Sequence, residues 1–202
     1  MTRVIAGEAG GRRLAVPAGM STRPTSDRAR EGLFSSVLSE LGSLAGKRAL
    51  DLYAGSGAVG LEALSRGAAH ALMVESDARA VAVIRANMAT VAIAGAQVRG
   101  EKVERLLARP PEQGPYDLVF ADPPYALAGA AVTRVLALLA RDWLAPGALV
   151  VVERATRSGE VGWPAGIAVG KSRKYGEATF WYGHRAAVGK ISSSADDGPG
   201  SE

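Results

Sequence analysis

Four residues that follow an apolar run form the most informative chemical motif of this sequence. Asp122-Pro123-Pro124-Tyr125 comes directly after residues 116–121, whose composition predicts a short buried strand. The two prolines fix φ and remove two backbone N–H donors, so they favour a stiff, extended corner. The corner would hold a carboxylate, two free carbonyl oxygens and an aromatic ring, which suits a planar base with an exocyclic amine. A strand-terminating turn with a core tyrosine is the plain alternative.

A glycine-rich loop between a predicted strand and a predicted helix is the second candidate site. Gly55, Gly57 and Gly60 give the pattern G-x-G-x-x-G, whose glycines allow a tight turn and close approach of a ligand to backbone N–H groups. The pattern alone would favour a dinucleotide. Asp51 precedes Gly55 by four residues and argues against a pyrophosphate. Its charge instead suits a sulfonium nucleoside that carries an amino acid.

Acidic residues also follow the next two predicted strands. Glu75 lies twenty residues after Gly55, where its carboxylate could accept hydrogen bonds from both hydroxyls of a ribose. Glu101 follows the third strand, where an adenine ring would lie, although a glutamate that stabilises a helix dipole is an equal alternative. The predicted cofactor-binding residues are Asp51, Tyr53, Gly55, Ser56, Gly57, Glu75, Ser76 and Glu101.

Positive charge is concentrated at the start of the chain. Residues 1–30 contain six arginines against Glu8 and Asp27, and because the whole chain carries +4, the remainder is neutral in sum. A basic segment beside a neutral body predicts a surface for nucleic acid, and arginine suits phosphate groups and base stacking, although a solvated face is the plain alternative. The predicted RNA-binding residues are Arg3, Arg12, Arg13, Arg23, Arg28 and Arg30.

Composition excludes several other classes of protein. The 202 residues, of which 48% are hydrophobic, can bury one full core, and no stretch approaches the ~18 apolar residues of a membrane span. The first residues lack the apolar core of a signal peptide. With no cysteine and two histidines, the chain has no disulfide, thiol nucleophile or histidine metal cluster. We expect a cytoplasmic protein with no bound metal, no membrane partner and no obligate dimer.

The elements that must position these residues alternate along the chain. An opening hairpin, residues 3–6 and 12–16, would have to dock on other elements, and a helix would follow with Thr25 as its N-cap. Five strand and four helix patterns then alternate, which predicts an α/β fold with a mostly parallel sheet and helices on both faces. Two further strands, 167–171 and 178–182, would form an antiparallel edge pair and bring the sheet to seven strands.

The combination of motifs resembles the bacterial 16S ribosomal RNA guanine-N2 methyltransferases of the RsmD type. The resemblance covers residues 3–184 and departs from the family at Glu101, where aspartate is usual. Tyr53 stands where phenylalanine is also common, a difference that should matter little. Its further motifs are Arg3-Val4-Ile5-Ala6-Gly7, Gly11-Arg12-Arg13-Leu14, Arg23-Pro24-Thr25-Ser26-Asp27-Arg28-Ala29-Arg30-Glu31 and Lys174-Tyr175-Gly176-Glu177.

The resemblance implies a Rossmann-like methyltransferase that uses S-adenosylmethionine. Its substrate would be the N2 amine of one guanine in 16S ribosomal RNA, on an assembled or partly assembled 30S particle. Asp122, Pro123, Pro124 and Tyr125 would be the catalytic residues. Residues 1–22 would form an RNA-binding hairpin extension, 23–185 the methyltransferase domain and 186–202 a disordered tail.

Four other functions use some of the same features. An adenine-N6 methyltransferase acting on DNA or RNA is the nearest, because Asp-Pro-Pro-Tyr serves either amine. A protein-glutamine methyltransferase would favour asparagine in place of Asp122. A nicotinamide-dependent oxidoreductase is disfavoured by Asp51, and a non-catalytic RNA-binding protein by the intact loop and tetrapeptide.

Overall fold

The computed structural model describes residues 2–17 and 26–186, which form two sheets and the helices around them. The strands are β1 (Thr2–Arg3), β2 (Arg13–Leu14), β3 (Arg48–Leu52), β4 (His70–Glu75), β5 (Ala96–Gly100), β6 (Tyr116–Ala121), β7 (Leu144–Ala155), β8 (Ile167–Tyr175) and β9 (Ala178–Arg185). The α-helices are α1 (Asp27–Leu41), α2 (Ala58–Ser65), α3 (Ala78–Val91), α4 (Val103–Leu107) and α5 (Gly129–Leu138).

The main sheet has seven strands in the order β5-β4-β3-β6-β7-β9-β8. The first five run parallel, and β9 pairs antiparallel with both β7 and β8. This confirms the predicted mostly parallel sheet with an antiparallel edge pair. The chain moves outward from β3 to β5 and then returns to β6 on the other side of β3. The order therefore reverses between β3 and β6, and a crevice opens there at the carboxyl ends of the strands.

Two layers of helices cover the two faces of the sheet, as the sequence predicts. One buried cluster joins apolar residues of α1, α2 and α3 to one face. A second cluster joins those of α4 and α5 to the other face. In β7 the residues Leu149–Val152 are all buried and alternate between the two clusters, which is why that strand is a continuous apolar run. Among the described residues, no helix is long and apolar enough to cross a bilayer.

The N-terminal hairpin has shorter strands than predicted, and its backbone bonds both to itself and to α2. Each of its strands has only two residues. The N–H groups of Ile5 and Ala6 donate to the Glu62 carboxylate over 2.6 and 3.1 Å. The N–H of Ala9 donates to Ser65 Oγ over 2.9 Å. The extension is thus docked on α2 by two polar side chains.

A buried asparagine on α3 joins the same extension to the glycine-rich loop. Asn87 Oδ1 accepts from the Ala15 N–H over 2.8 Å, while its Nδ2 donates to the carbonyl oxygens of Ala15 and Ser56 over 3.0 and 2.9 Å. Only 2% of Asn87 is exposed, so all three bonds are shielded from water. The extension, α3 and the loop after β3 therefore form one connected unit.

Three expectations fall wholly or mostly outside the described residues, and one helix start differs. Helix α1 begins at Asp27 with Ser26 as its N-cap, whose side chain accepts from the Ala29 N–H over 3.2 Å. The predicted N-cap Thr25 and the predicted RNA contact Arg23 lie in the undescribed segment 18–25, and most of the predicted tail lies in 187–202.

Candidate active site

A cleft lies where the strand order reverses, at the carboxyl ends of β3, β4 and β6. It has an empty volume of about 910 Å³, which includes its opening to solvent. Thr2, Val16 and Pro17 of the N-terminal extension form part of its wall. The predicted cofactor-binding and catalytic residues that line it are Asp51, Tyr53, Gly55, Ser56, Glu75, Ser76, Asp122 and Pro124, and Arg30 of the predicted RNA-binding set lines it too. The structure therefore brings these residues together, and the extension contributes to the same cleft.

The glycines of the loop serve backbone geometry and close packing. Gly55 and Gly57 have φ of 56° and 74°, in the left-handed region that favours glycine. A Cβ on Gly60 would lie 2.7 Å from Met73 Cγ. The N–H of Gly60, in the first turn of α2, donates to Asp51 Oδ2 over 2.9 Å. An aspartate thus occupies part of the helix N-terminus that a phosphate would otherwise use.

Asp51 is buried, with 3% of its surface exposed. Burial raises the pKa of its carboxyl to about 8, and the charge of Glu75 adds to this against the hydrogen bond from Gly60. At neutral pH the side chain is therefore mainly protonated. A cation placed beside it would favour its ionised form. Asp51 can therefore release its proton when a positively charged ligand binds beside it.

Glu75 ties together the loops that follow β3 and β4. Its Oε2 accepts from the Gly55 N–H over 3.0 Å, and its Oε1 accepts from the N–H groups of Ser76 and Asp77 over 2.7 and 2.9 Å. An ionised carboxylate offers about four lone-pair sites. The bonds to the backbone fix the orientation of Glu75 in the cleft and still leave capacity for a ligand hydroxyl.

Glu101 is not brought to the cleft, contrary to the expectation from its position after the third strand. Its carboxylate pairs with Arg109, with Oε1 2.6 Å from Nη2, and it is absent from the described residues that line the cleft. The ion pair gives the side chain a local partner outside the cleft lining. Gly57 is likewise absent from the residues that line the cleft, and it packs closely against Met73.

The Asp-Pro-Pro-Tyr corner forms the other side of the cleft. Asp122 is half-buried, Pro123 is buried and Tyr125 is 41% exposed. Burial raises the pKa of Asp122 well above its ordinary value, and the carboxylates of Glu153 and Asp51 add to the rise. The side chain is therefore a better proton acceptor than an ordinary aspartate once it is ionised.

Arg154 fixes the turn that follows this corner. Its Nη1 donates to the Pro124 carbonyl over 3.4 Å and its Nη2 to the Leu127 carbonyl over 2.9 Å. The Pro124 oxygen also accepts from the Leu127 N–H over 2.8 Å. The expectation of two free carbonyl oxygens is thus wrong for Pro124. The oxygen of Pro123 accepts no hydrogen bond from the described residues.

A second groove lies beside Tyr125. Arg28 from the start of α1, Glu153 near the end of β7 and the turn between β8 and β9 form its walls. The turn supplies the sequence Lys174-Tyr175-Gly176-Glu177 that marked the family resemblance. Sequence reasoning did not assign Glu153 to the site. An apolar strand that ends in glutamate is the signal that could have found it, as it found Glu75.

Arg30 corrects the predicted RNA-binding set, because its guanidinium is inside the protein. Only 1% of it is exposed. It donates to the Arg3 carbonyl, and to Thr2 Oγ1 and Asp27 Oδ1 over 3.1 Å each. Its Nε lies 3.9 Å from the buried Glu62. Arg30 therefore holds the start of the chain against α1 and α2 and is not available to RNA.

The other described arginines of this segment are exposed, but not all are free. Arg12 donates to the Val91 carbonyl at the carboxyl end of α3, so it caps that helix. Arg3 is 3.6 Å from Asp27 and its side chain remains 65% exposed. Arg13 and Arg28 are exposed, and Arg28 faces the groove beside Tyr125.

Comparison with known proteins gives consistent matches over nearly the whole chain. The family model described as "Conserved hypothetical protein 95" matches residues 2–184. Ribosomal RNA small subunit methyltransferase D of Escherichia coli strain K12 is 35% identical over 194 residues, which are 96% of this chain and 94% of that protein. The protein of the same name from Haemophilus influenzae is 35% identical over 153 residues, 75% of this chain and 77% of that protein.

Solved structures agree with these matches. The Escherichia coli protein yhhF aligns with a TM-score of 0.79 at 34% identity, over 92% of this chain and 98% of that one. A hypothetical protein from Thermus thermophilus aligns with a TM-score of 0.73 at 33% identity, over 90% of this chain and 98% of that one.

Proposed function

Because the chain belongs to the RsmD-type family of ribosomal RNA small subunit methyltransferases, we propose that it transfers a methyl group from S-adenosylmethionine to the N2 amine of a guanine in 16S ribosomal RNA. One observation carries the proposal. The corner with Asp122 stands between the cleft after β3 and the groove beside Tyr125. A cofactor in the first and a base in the second would meet at that corner.

The residues of the cleft fit S-adenosylmethionine better than a dinucleotide. Asp51 already accepts from the N–H of Gly60 and Glu75 from that of Gly55, so these two N–H groups are not free for a pyrophosphate. Glu75 would accept from a ribose hydroxyl, the backbone of Gly55 and Ser56 would lie against the amino acid part, and Asp51 would face its positive charge. When bound, the cofactor supplies an electrophilic methyl group.

The corner would orient the target amine. The amine of guanine is a poor nucleophile because its lone pair is delocalised into the ring. Hydrogen bonds from its two N–H groups to Asp122 and to the Pro123 carbonyl would turn that lone pair toward the methyl group. Positioning of this kind supplies roughly 7–11 kcal/mol. The raised pKa of Asp122 also suits it to take up the proton that the methylated amine releases.

Tyr125 and the basic residues would hold the RNA. The base must leave its stack to reach the corner, and stacking on Tyr125 would contribute roughly 1–3 kcal/mol. The exposed Arg3, Arg13 and Arg28 would contact phosphates, together with Lys174 at the groove. We further propose that the protein acts as a cytoplasmic monomer on an assembled or partly assembled 30S particle.

The test is methyl transfer from radiolabelled S-adenosylmethionine to small subunits from a strain that lacks this protein. Naked 16S RNA and DNA serve as the other substrates, and the labelled product is identified by nucleoside analysis. Label in N2-methylguanosine is the expected result, and label in N6-methyladenine would instead support the adenine-N6 alternative. Absence of label with all substrates would overturn the proposal.

A pair of variants tests the role of Asp122. Asp122→Ala should lose at least nine-tenths of the rate, an effect of at least about 1.4 kcal/mol, while calorimetry shows nearly unchanged cofactor affinity. Asp117→Ala is the control, because Asp117 lies at the opposite end of the same strand and accepts only from the Arg48 N–H in the described residues. Retention of more than a tenth of the rate in Asp122→Ala would refute its role.

A further inference from the structure

Four carboxyl side chains form a row along one edge of the sheet. Glu75, Asp51, Asp122 and Glu153 lie at or just after the carboxyl ends of β4, β3, β6 and β7, which are neighbours in that order. Each follows by two positions a residue buried in the layer of α1 to α3, so all four side chains point to that face. The first three line the cofactor cleft, and Glu153 lies outside it.

Glu153 is the direct neighbour of Asp122 across the parallel ladder. Ala121 of β6 is paired with Val152 of β7, so the next residues of the two strands are Asp122 and Glu153. Their proximity is also seen in the effect of the Glu153 charge, which raises the pKa of Asp122. Glu153 is only 4% exposed and lines the groove beside Tyr125. The reaction described above does not use it.

If Asp122 holds the N2 amine, the neighbouring Glu153 would face the next group along the edge of the guanine. In guanine the atom beside the N2 amine is N1, which carries a hydrogen and is a donor. In adenine the atom beside the N6 amine is also N1, but it is an unprotonated acceptor. A carboxylate accepts a hydrogen bond from the first and is repelled by the lone pair of the second. A buried acceptor that meets no donor loses binding energy.

We propose that Glu153 accepts the N1–H of the target guanine while Asp122 and Pro123 hold its N2 amine, and that Glu153 thereby selects guanine over adenine. The inference rests on the proposed function and adds a specificity residue to it. Two adjacent carboxyls on neighbouring strands would read two adjacent N–H groups of one base. The amine alone does not distinguish guanine from adenine at this corner, whereas the pair of acceptors does.

The decisive substrate is 2-aminopurine, which keeps the 2-amine but has an unprotonated N1. Small subunits would be reconstituted with guanine or 2-aminopurine at the position that the wild-type protein modifies. The wild-type protein should methylate 2-aminopurine with kcat/KM at least tenfold lower than guanine. Equal rates on both bases would overturn the inference, and this result does not depend on the folding of any variant.

Glu153→Gln identifies the residue that imposes this difference. The amide is isosteric, and it can donate to an unprotonated N1, so the preference for guanine over 2-aminopurine should fall to at most threefold. Cofactor affinity, measured by calorimetry, should stay within twofold. Glu112→Gln is the control and should keep the wild-type preference. Glu112 lies in the segment before β6, at the other end of that strand from Asp122, and pairs with Arg99.

The outcomes separate this inference from the function on which it rests. If the wild-type protein makes no N2-methylguanosine, the proposed function itself fails. If it does, and Glu153→Gln keeps the full preference for guanine, only the role of Glu153 is refuted. Should Glu153→Gln fail to fold, Glu153→Asp keeps the charge and withdraws the carboxylate by one methylene. That variant should lose at least tenfold in kcat/KM on guanine, and an unchanged rate would refute the inference.

Discussion

Substitution of Asp51 by asparagine should change how the stability of the protein depends on pH. The pKa of Asp51 is raised from 3.8 to about 8, with burial as the largest cause. Between these two values the folded protein holds a proton on Asp51 that the unfolded chain has released. Stability from this group is therefore greatest below about pH 4 and falls as the pH rises toward 8. Asparagine has no proton to lose, and its Oδ1 can still accept from the Gly60 N–H.

The size of the effect follows from the linkage between protons and folding. At pH 5 the unfolded aspartate is already ionised, and at pH 7 the folded one is still mainly protonated, given its pKa of about 8. The free energy of unfolding of the wild-type protein then loses about 1.4 kcal/mol per pH unit through this group. Between pH 5 and pH 7 the variant should gain about 2–3 kcal/mol relative to the wild-type protein.

Urea denaturation of both proteins at pH 5, 6 and 7 measures this difference. Because the same substitution is compared at each pH, any constant effect of asparagine on packing cancels. Asp142→Asn is the control, because it makes the same substitution outside the cleft, at a carboxylate that lies 2.6 Å from Arg141. A change of less than about 0.5 kcal/mol for Asp51→Asn would show that Asp51 is ionised in the free protein. A protonated Asp51 in the unliganded cleft would then be refuted.

Three further substitutions test separate parts of the structure. Glu62→Gln should destabilise the protein by about 3–5 kcal/mol in urea denaturation, because the buried guanidinium of Arg30 then loses the charge of one of its carboxylate partners. A loss below 1 kcal/mol would contradict this. Arg154→Met should lower the methylation rate at least tenfold with near-constant cofactor affinity, and equal rates would exclude a positioning role. Arg28→Ala should make the slope of log RNA affinity against log salt concentration shallower by about 1, as expected for the loss of one phosphate contact. An unchanged slope would exclude Arg28 from the interface.

The sequence was sufficient for the sheet and for most of the cleft. Strands that alternate with helices predict a parallel sheet, and such a sheet brings strand ends together at one edge. Glu75 and Asp122 are predicted because each directly follows an apolar run, and Asp51 because it precedes Gly55 by four residues. Glu153 ends such a run too and could have been found by the same rule. Glu101 was assigned by position alone, and position could not show that Arg109 would take its carboxylate.

The burial of Arg30 was less accessible to sequence reasoning. A count of charges treats every arginine as exposed, and the pattern of α1 places Arg30 near other charged residues. The available signal lay in α2, where every residue is buried and one of them is Glu62. A buried glutamate requires a partner. The sequence could therefore predict that some basic group is buried with it, but not which arginine.

The docking of the N-terminal extension has a consequence for the order in which the chain can fold during synthesis. The partners of Ile5, Ala9 and Ala15 come 57, 56 and 72 residues later in the chain. A ribosome therefore releases the extension well before α2 and α3 exist to receive it. Closure of these long loops has to wait for the glycine-rich loop and both helices. This early segment is thus among the last to be placed, and because it supplies part of the wall of the cleft, the cleft is completed only when the extension docks.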